Sequence, residues 1–125
     1  MSVICELAGR AHAERAIDVA LRSGNPGWLA TIVADRVHLI YERCGFTAGD
    51  AVLEDMARSL RAVPGGRVYR WTATSFVVLA VQRPTILLPS SVEATITMLP
   101  LASIRSASEL VSRLDHHVAL RVAAA

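Results

Sequence analysis

Few side chains in this sequence are of types and spacings that could do chemistry. His116 and His117 follow Asp115 near the C-terminal end. Adjacent residues on a helix point about 100° apart and cannot chelate one ion together, so these read as solvated helix surface. Asp35 and His38 lie three apart and could share a helix face, but no third ligand is evident, and a zinc site takes at least three protein ligands. Thr74, Ser75 and Cys44 carry nucleophile-type atoms, yet no His stands near them in sequence to take the proton. Cys5 and Cys44 have neither a CxxC spacing nor a disulfide framework, which fits a reducing compartment, with the cytoplasm as the default. The residues alone therefore predict no catalytic group, no metal site and no cofactor.

The elements that must position these residues are legible from periodicity. Ala13, Ala16, Ile17, Ala20 and Leu21 recur at helical spacing between Arg10 and Arg22, and Ser23-Gly24-Asn25-Pro26-Gly27 stops the pattern. Trp28 to Ala34 is short, apolar and rich in β-branched residues, the signature of a strand buried on both faces, with Asp35 at its exit. Val37, Ile40 and Tyr41 give a brief helical face ending at Cys44-Gly45. Thr47 and Asp50 resemble a capping box ahead of Val52, Leu53, Met56, Ala57 and Leu60. Arg67–Trp71 and Phe76–Val81 read as a hairpin around a polar, uncharged tip, Thr72 to Ser75.

Pro84 and Pro89 exclude a long helix between Gln82 and Ser91. Val92 to Leu99 alternates as a strand, with Ala94, Ile96 and Met98 on one face. Ser106 and Glu109 then form a capping box for a last helix carrying Leu110, Val111, Leu114 and Val118, and the alanine tail 123–125 fits its continuation.

A length of 125 residues suits one domain spanning the whole chain, 1–125, and 53% apolar against 19% charged residues leaves apolar side chains to spare. Such a surplus favours a self-interface or a partner interface, so a protein partner, a flanking domain or a homodimer is expected. The net charge is +2, there is no Lys, and the arginines are scattered without aromatic interleaving, which argues against nucleic acid. The N-terminus lacks the pattern of a signal peptide, and no apolar run approaches the ~20 residues of a membrane span, so no membrane partner is expected.

Three features in order carry a resemblance: a strand ending in Asp35, the stretch Gly45-Phe46-Thr47-Ala48-Gly49-Asp50-Ala51-Val52-Leu53, and the hairpin Arg70-Trp71-Thr72-Ala73-Thr74-Ser75-Phe76. Together they resemble the GGDEF (diguanylate cyclase) family, which shows Gly-His-x-x-Gly-Asp-x-x-Leu after its first strand and Arg-x-Gly-Gly-Asp/Glu-Glu-Phe at its hairpin. Leu7-Ala8-Gly9-Arg10 is similar to the family's Leu-Pro-Asn-Arg, and Glu109-Leu110, Leu114-Asp115, Val118 and Leu120 to its final helix. The resemblance implies an α+β, ferredoxin-like palm of the nucleotidyl cyclase type. Its central, mostly antiparallel sheet would carry helices packed on it and be shortened after the hairpin.

Diguanylate cyclases join two GTP molecules with the help of two divalent cations, which need carboxylates. Carried across residue by residue, the metal-binding positions are Val33 and Thr74, and the hairpin glycines are Thr72 and Ala73. The degenerate signature is thus Thr72, Ala73, Thr74, Ser75 and Phe76. The family's guanine-recognising Asn corresponds to Tyr41, while its guanine-contacting Asp matches Asp50 and the second Asp of its Asp-x-Asp pattern matches Asp35. Asp50 and Asp35 are therefore vestigial nucleotide-binding candidates. On the structural reading Asp50 caps a helix and Asp35 bonds to local backbone.

The basic residue near the end of the family's last helix falls near Val122 and is expected to be missing. The product-binding Arg-x-x-Asp would span Val63 to Gly66, so feedback binding there is not expected. The resemblance implies a catalytically inactive, regulatory or protein-interaction module in bacterial cyclic di-GMP signalling. The alternative is a GTP-binding sensor that tunes a phosphodiesterase domain. An enzyme of different specificity would need carboxylates from elsewhere. The trimmed segment after the hairpin predicts an exposed sheet face for a partner to cover.

Overall fold

Trp28–Ala34 has apolar side chains for both faces, and in the computed structural model, which describes residues 2–124, it forms the central strand β1. β1 lies between β3 (Ser75–Ala80) and β4 (Ala94–Pro100), with β2 (Gly66–Thr72) outside β3. The order is β2-β3-β1-β4 and every neighbouring pair is antiparallel. Among the described residues there are also five α-helices, α1 (Val3–Glu6), α2 (Arg10–Arg22), α3 (Val37–Cys44), α4 (Phe46–Arg61) and α5 (Ala107–Ala124), and a 3-10 turn at Leu101–Ser103. The fold class is α+β, a four-stranded antiparallel sheet with helices packed on it.

Strand alternation divides the core into two layers. Leu29, Val33, Val77 and Leu79 join Ala13 and Ile17 of α2 with Leu110, Leu114 and Val118 of α5. Ala30, Ile32, Ala34, Phe76 and Val78 join Val37 of α3 with Leu53, Met56, Ala57 and Leu60 of α4. The α4 set follows the i, i+3, i+4, i+7 spacing of one helix face, and burying each of its larger side chains contributes about 1.5–3 kcal/mol. A charge at Leu53 or Met56 would break that layer, because both side chains are fully buried among apolar ones. Ser106 caps α5 as its spacing predicts, accepting from the Glu109 N–H at 3.2 Å. α5 runs on to Ala124, whereas Ala125 lies outside the described residues. Among the described residues, no helix is long and apolar enough to cross a membrane.

Several expectations need correction. Thr47 does not cap α4: the helix starts one residue earlier, at Phe46, behind Gly45, whose φ of 86° makes the turn from α3. Asp50 consequently sits inside the helix and is not its cap. The hairpin loop is tighter than four residues, since Thr72 and Ser75 pair and only Ala73 and Thr74 turn. β4 begins at Ala94 rather than Val92. Helix α1 is too short to show in the sequence. It is held from a distance by Glu54, which accepts from the Ser2 hydroxyl at 2.8 Å and from the Val3 N–H. Burial opposes ionisation of Glu54, yet these donors leave its carboxyl below the usual range.

The sheet face expected to be bare after the hairpin is largely covered. The extended segment ahead of β4 lays Ile86, Leu88 and Val92 against the α4 layer, so an irregular strap does the work of a helix.

Candidate functional site

At the hairpin tip the Thr72 and Ser75 hydroxyls find internal partners. The Thr72 and Ser75 hydroxyls lie 2.5 Å apart, Ser75 Oγ accepts from the Thr72 N–H at 3.2 Å, and Thr72 Oγ1 accepts from the Thr74 N–H at 3.4 Å. Ser75 is fully buried. The Thr74 carbonyl accepts from the Ala34 N–H at 2.9 Å, tying the tip to the end of β1. Arg70 reaches back over the turn and donates to the Ala73 carbonyl at 2.7 Å. A register shift between Arg70 and Thr72 lets Trp71 turn into the core, where it is 3% exposed, ahead of Phe76 on the return strand.

β1 delivers two candidates to this end of the sheet. Val33 sits opposite Ser75 on one side and Thr95 on the other, and is 1% exposed in the α2–α5 layer. Asp35 does not bond to local backbone through its carboxylate. Its carboxylate accepts from the Thr95 hydroxyl at 2.7 Å and from Arg121 of α5 at 3.4 Å. The basic residue expected to be missing near Val122 is therefore present one position earlier, and it is directed at Asp35. Asp35 pins the exit of β1 to β4 and to the last helix.

Tyr41 and Asp50 form the second focus. α3 and α4 pack side by side, and the Tyr41 hydroxyl donates to Asp50 Oδ1 at 2.7 Å across them. The ring lies over Gly49: a Cβ built there would stand 2.5–2.8 Å from three of its carbons, so only glycine admits the tyrosine in this place. Phe46 flanks the ring at 5.6 Å between centroids. Burial raises the Tyr41 pKa, the hydrogen bond and charge of Asp50 raise it further, and the Arg70 cation opposes them. A neutral phenol is thus held on the Asp50 carboxylate.

The structure brings Thr72–Ser75 and Val33 together, and Asp35 with Arg121, but Asp35 and Asp50 each bond to different partners. Two divalent cations do not fit this residue set. Val33 offers no lone pair and cannot leave the core, Thr74 is neutral, and both nearby carboxylates are already engaged. Among the described residues no three His, Cys, Asp or Glu side chains gather closely enough to hold a metal ion. His116 is exposed and His117 lies 3.3 Å from the Thr97 hydroxyl, so the histidine pair does not converge on one point. A cleft of about 350 Å³ beside α3 is lined by Asp35, Arg36, Ile40, Arg43, Val52 and Glu93; of the candidate residues it takes in Asp35 but none of Tyr41, Asp50 or Thr74.

A third cluster joins the ends of the chain. Arg10 of α2 makes two hydrogen bonds to Asp115 of α5, at 2.9 and 2.6 Å, while Trp71 Nε1 donates to the same carboxylate at 3.1 Å. The Arg10 guanidinium lies 4.4 Å from the Trp71 ring. Its hydrogen bonds to Asp115 raise the Arg10 pKa, against the effect of burial. Nothing in the sequence spacing announced it, since its members are 44 to 105 residues apart.

No family model matches the sequence, and no curated protein does. Solved structures do. The GGDEF domain of TpbB (YfiN) from Pseudomonas aeruginosa superposes with a TM-score of 0.74 at 24% identity, covering 100% of this chain and 89% of that one. The LapD S helix-GGDEF-EAL protein of Vibrio cholerae, bound to c-di-GMP, gives 0.69 at 17% identity, over 90% of this chain and 31% of that one. The diguanylate cyclase SiaD, in complex with its activator SiaC from Pseudomonas aeruginosa, also gives 0.69 at 17% identity, over 94% and 56%. The chain spans about a third of the length of the LapD protein. These likenesses are likenesses of fold: the sheet and its helices are arranged as in GGDEF domains.

Proposed function

We propose that this chain, a domain with the GGDEF-type fold, is a catalytically inactive regulatory or protein-interaction module in bacterial cyclic di-GMP signalling. The observation that carries the reading is the fate of the two metal-binding positions. Val33, at one of them, is sealed in the core at 1% exposure, and Thr74, at the other, carries a neutral hydroxyl on a turn closed by the Thr72 and Ser75 hydroxyls. Divalent cations neutralise charge on a transferred phosphoryl group only when carboxylates fix them there. Without those ligands the fold retains a scaffold and loses the reaction.

Tyr41 supports the same reading from the base-recognition side. Its hydroxyl takes up Asp50, the one carboxylate that the GTP-sensor alternative would need, so a guanine would have to displace the ring before meeting its acceptor. Flanking or partner proteins agree with the company kept by similar folds: one sits in an S helix-GGDEF-EAL protein and another in complex with an activator. A cytoplasmic setting accords with the free, exposed thiols of Cys5 and Cys44. The test is incubation with GTP and magnesium or manganese, followed by chromatography for cyclic di-GMP. None is expected, and its formation refutes the proposal. Calorimetry with GTP addresses the sensor alternative, which predicts heat with the wild-type protein.

A further inference from the structure

The two edges of the sheet are treated differently. The outer side of β2 is met by the chain ahead of α2: Ala8 bridges Tyr69, and the Arg70 N–H donates to the Ala8 carbonyl at 2.9 Å. Among the described residues the outer side of β4 has no such cover. Its backbone directions follow from the ends of its ladder with β1, where the Asp35 N–H donates to the Glu93 carbonyl at 3.0 Å and the Leu101 N–H to the Gly27 carbonyl at 2.9 Å. In an antiparallel ladder hydrogen-bonded and non-hydrogen-bonded pairs alternate. In the register that sets Ile32 opposite Ile96, the odd residues of β4 therefore bond to β1, and Ala94, Ile96 and Met98 turn their N–H and C=O groups outward. Among the described residues no hydrogen bond reaches those outward groups.

Natural edge strands are usually blunted by charge, proline or a bulge. Ala94-Thr95-Ile96-Thr97-Met98-Leu99 has no charge and no proline before Pro100, and its pairing with β1 is unbroken. Ile96 is 38% exposed. We infer that β4 is the seam of a homodimer, in which a second copy adds its own β4 antiparallel about Ile96 and the two four-stranded sheets become continuous.

A second copy is the occupant because the strand is complementary to itself in a single register. With Ile96 opposite Ile96, Ala94 falls opposite Met98 and Met98 opposite Ala94, so every outward N–H of the strand is bonded and Pro100, which has none, lies beyond the pairing. Thr95 then faces Thr97 in the non-hydrogen-bonded pairs, where side chains approach most closely. The same register sets Glu93 opposite the second copy's Leu99. In each copy Leu99 lines a cleft with Arg113 and His117 of α5, which brings an acidic side chain to a basic one twice across the two-fold axis. Neither Glu93 nor Arg113 has an ion-pair partner in its own chain among the described residues.

Sedimentation velocity over micromolar to millimolar concentrations tests the inference, with far-UV circular dichroism to verify folding. The wild type is expected to be dimeric at the upper end. Ile96→Lys, which sets two ammonium groups opposite one another, is expected to weaken the dimer roughly tenfold or more, since like charges directly opposite in a sheet repel. Glu93→Arg and Arg113→Glu should each weaken it, and the double exchange should restore it. Amide exchange gives a reading that needs no variant: in the dimer the Ala94, Ile96 and Met98 amides are protected. A wild type monomeric throughout, a dimer unmoved by Ile96→Lys, or rapid exchange of those amides in a dimeric sample would each overturn the inference.

Discussion

Gly49→Ala reads out whether Tyr41 is seated as described. In a helix interior, alanine is favoured over glycine by about 1 kcal/mol, so on propensity alone the substitution stabilises. Against this, the new Cβ would stand 2.5, 2.6 and 2.8 Å from Cε1, Cδ1 and Cζ of Tyr41. Carbon pairs settle at about 3.5–4.0 Å, so the ring must move, giving up its hydrogen bond to Asp50 and its contact with Phe46. Overpacking of this kind costs about 1–3 kcal/mol. The net expectation is a loss of about 0–2 kcal/mol in the wild-type background. In Tyr41→Ala the obstruction is gone, and Gly49→Ala should stabilise by about 1 kcal/mol. Urea denaturation of the four proteins closes a double-mutant cycle with a coupling of about 1–3 kcal/mol. If Gly49→Ala stabilises both backgrounds equally, within the roughly 0.5 kcal/mol that independent sites show, the ring is not on the glycine and the account of Asp50 fails with it.

Two other expectations follow from the same contacts. In a Tyr69→Phe variant only Tyr41 can titrate, and tyrosinate absorbance should show a midpoint above 10.0, lowered by Asp50→Asn. The raised folded pKa means that the phenol's contribution to stability is present below the unfolded value and is lost as pH rises through the folded one, and a midpoint at or below 10.0 contradicts this. Asp115→Ala should cost about 1–2 kcal/mol, kept modest because the Arg10 and Asp115 side chains are 41% and 42% exposed, and should shift the near-ultraviolet signal of Trp71. An unchanged midpoint in urea would remove Asp115 from the ties between α2, β2 and α5.

What was legible in the sequence was what is local. α2 and β1 occupy the residues their periodicity marks, because a helix of one apolar face and a short strand buried on both sides each write their burial directly into spacing. Ser106 is a cap because the bond it makes spans three residues. The errors lie where a distant group decides. Thr47 has the right type for a cap, but the positive φ of Gly45 had already turned the chain. Asp35 is fixed by Thr95 and Arg121, 60 and 86 residues away, and α1 by Glu54, so neither could be read from neighbours. Ile86 and Leu88, flanked by prolines, have no helical or strand period, and only their packing against the α4 layer half-buries them.

On the proposed reading, the residues that stand at the family's signature positions are coupled by packing, which bears on whether the reaction could be restored. A carboxylate at position 33 would enter a layer made of Leu29, Val77 and Leu114, and burying an unpaired charge there is costly enough to move its pKa or disrupt the fold. Glycine at positions 72 and 73 would remove the Thr72 hydroxyl that holds Ser75 and the Thr74 amide, loosening the tip that Ala34 also grips. Asn at position 41 would free Asp50 yet leave the space over Gly49 empty. Each reversion undoes an internal contact before it rebuilds an external one. A scaffold, as proposed, requires no more than this, since internal contacts stabilise the chain whether or not a nucleotide arrives. The same logic singles out β4, a neutral strand whose outward backbone groups find no partner among the described residues.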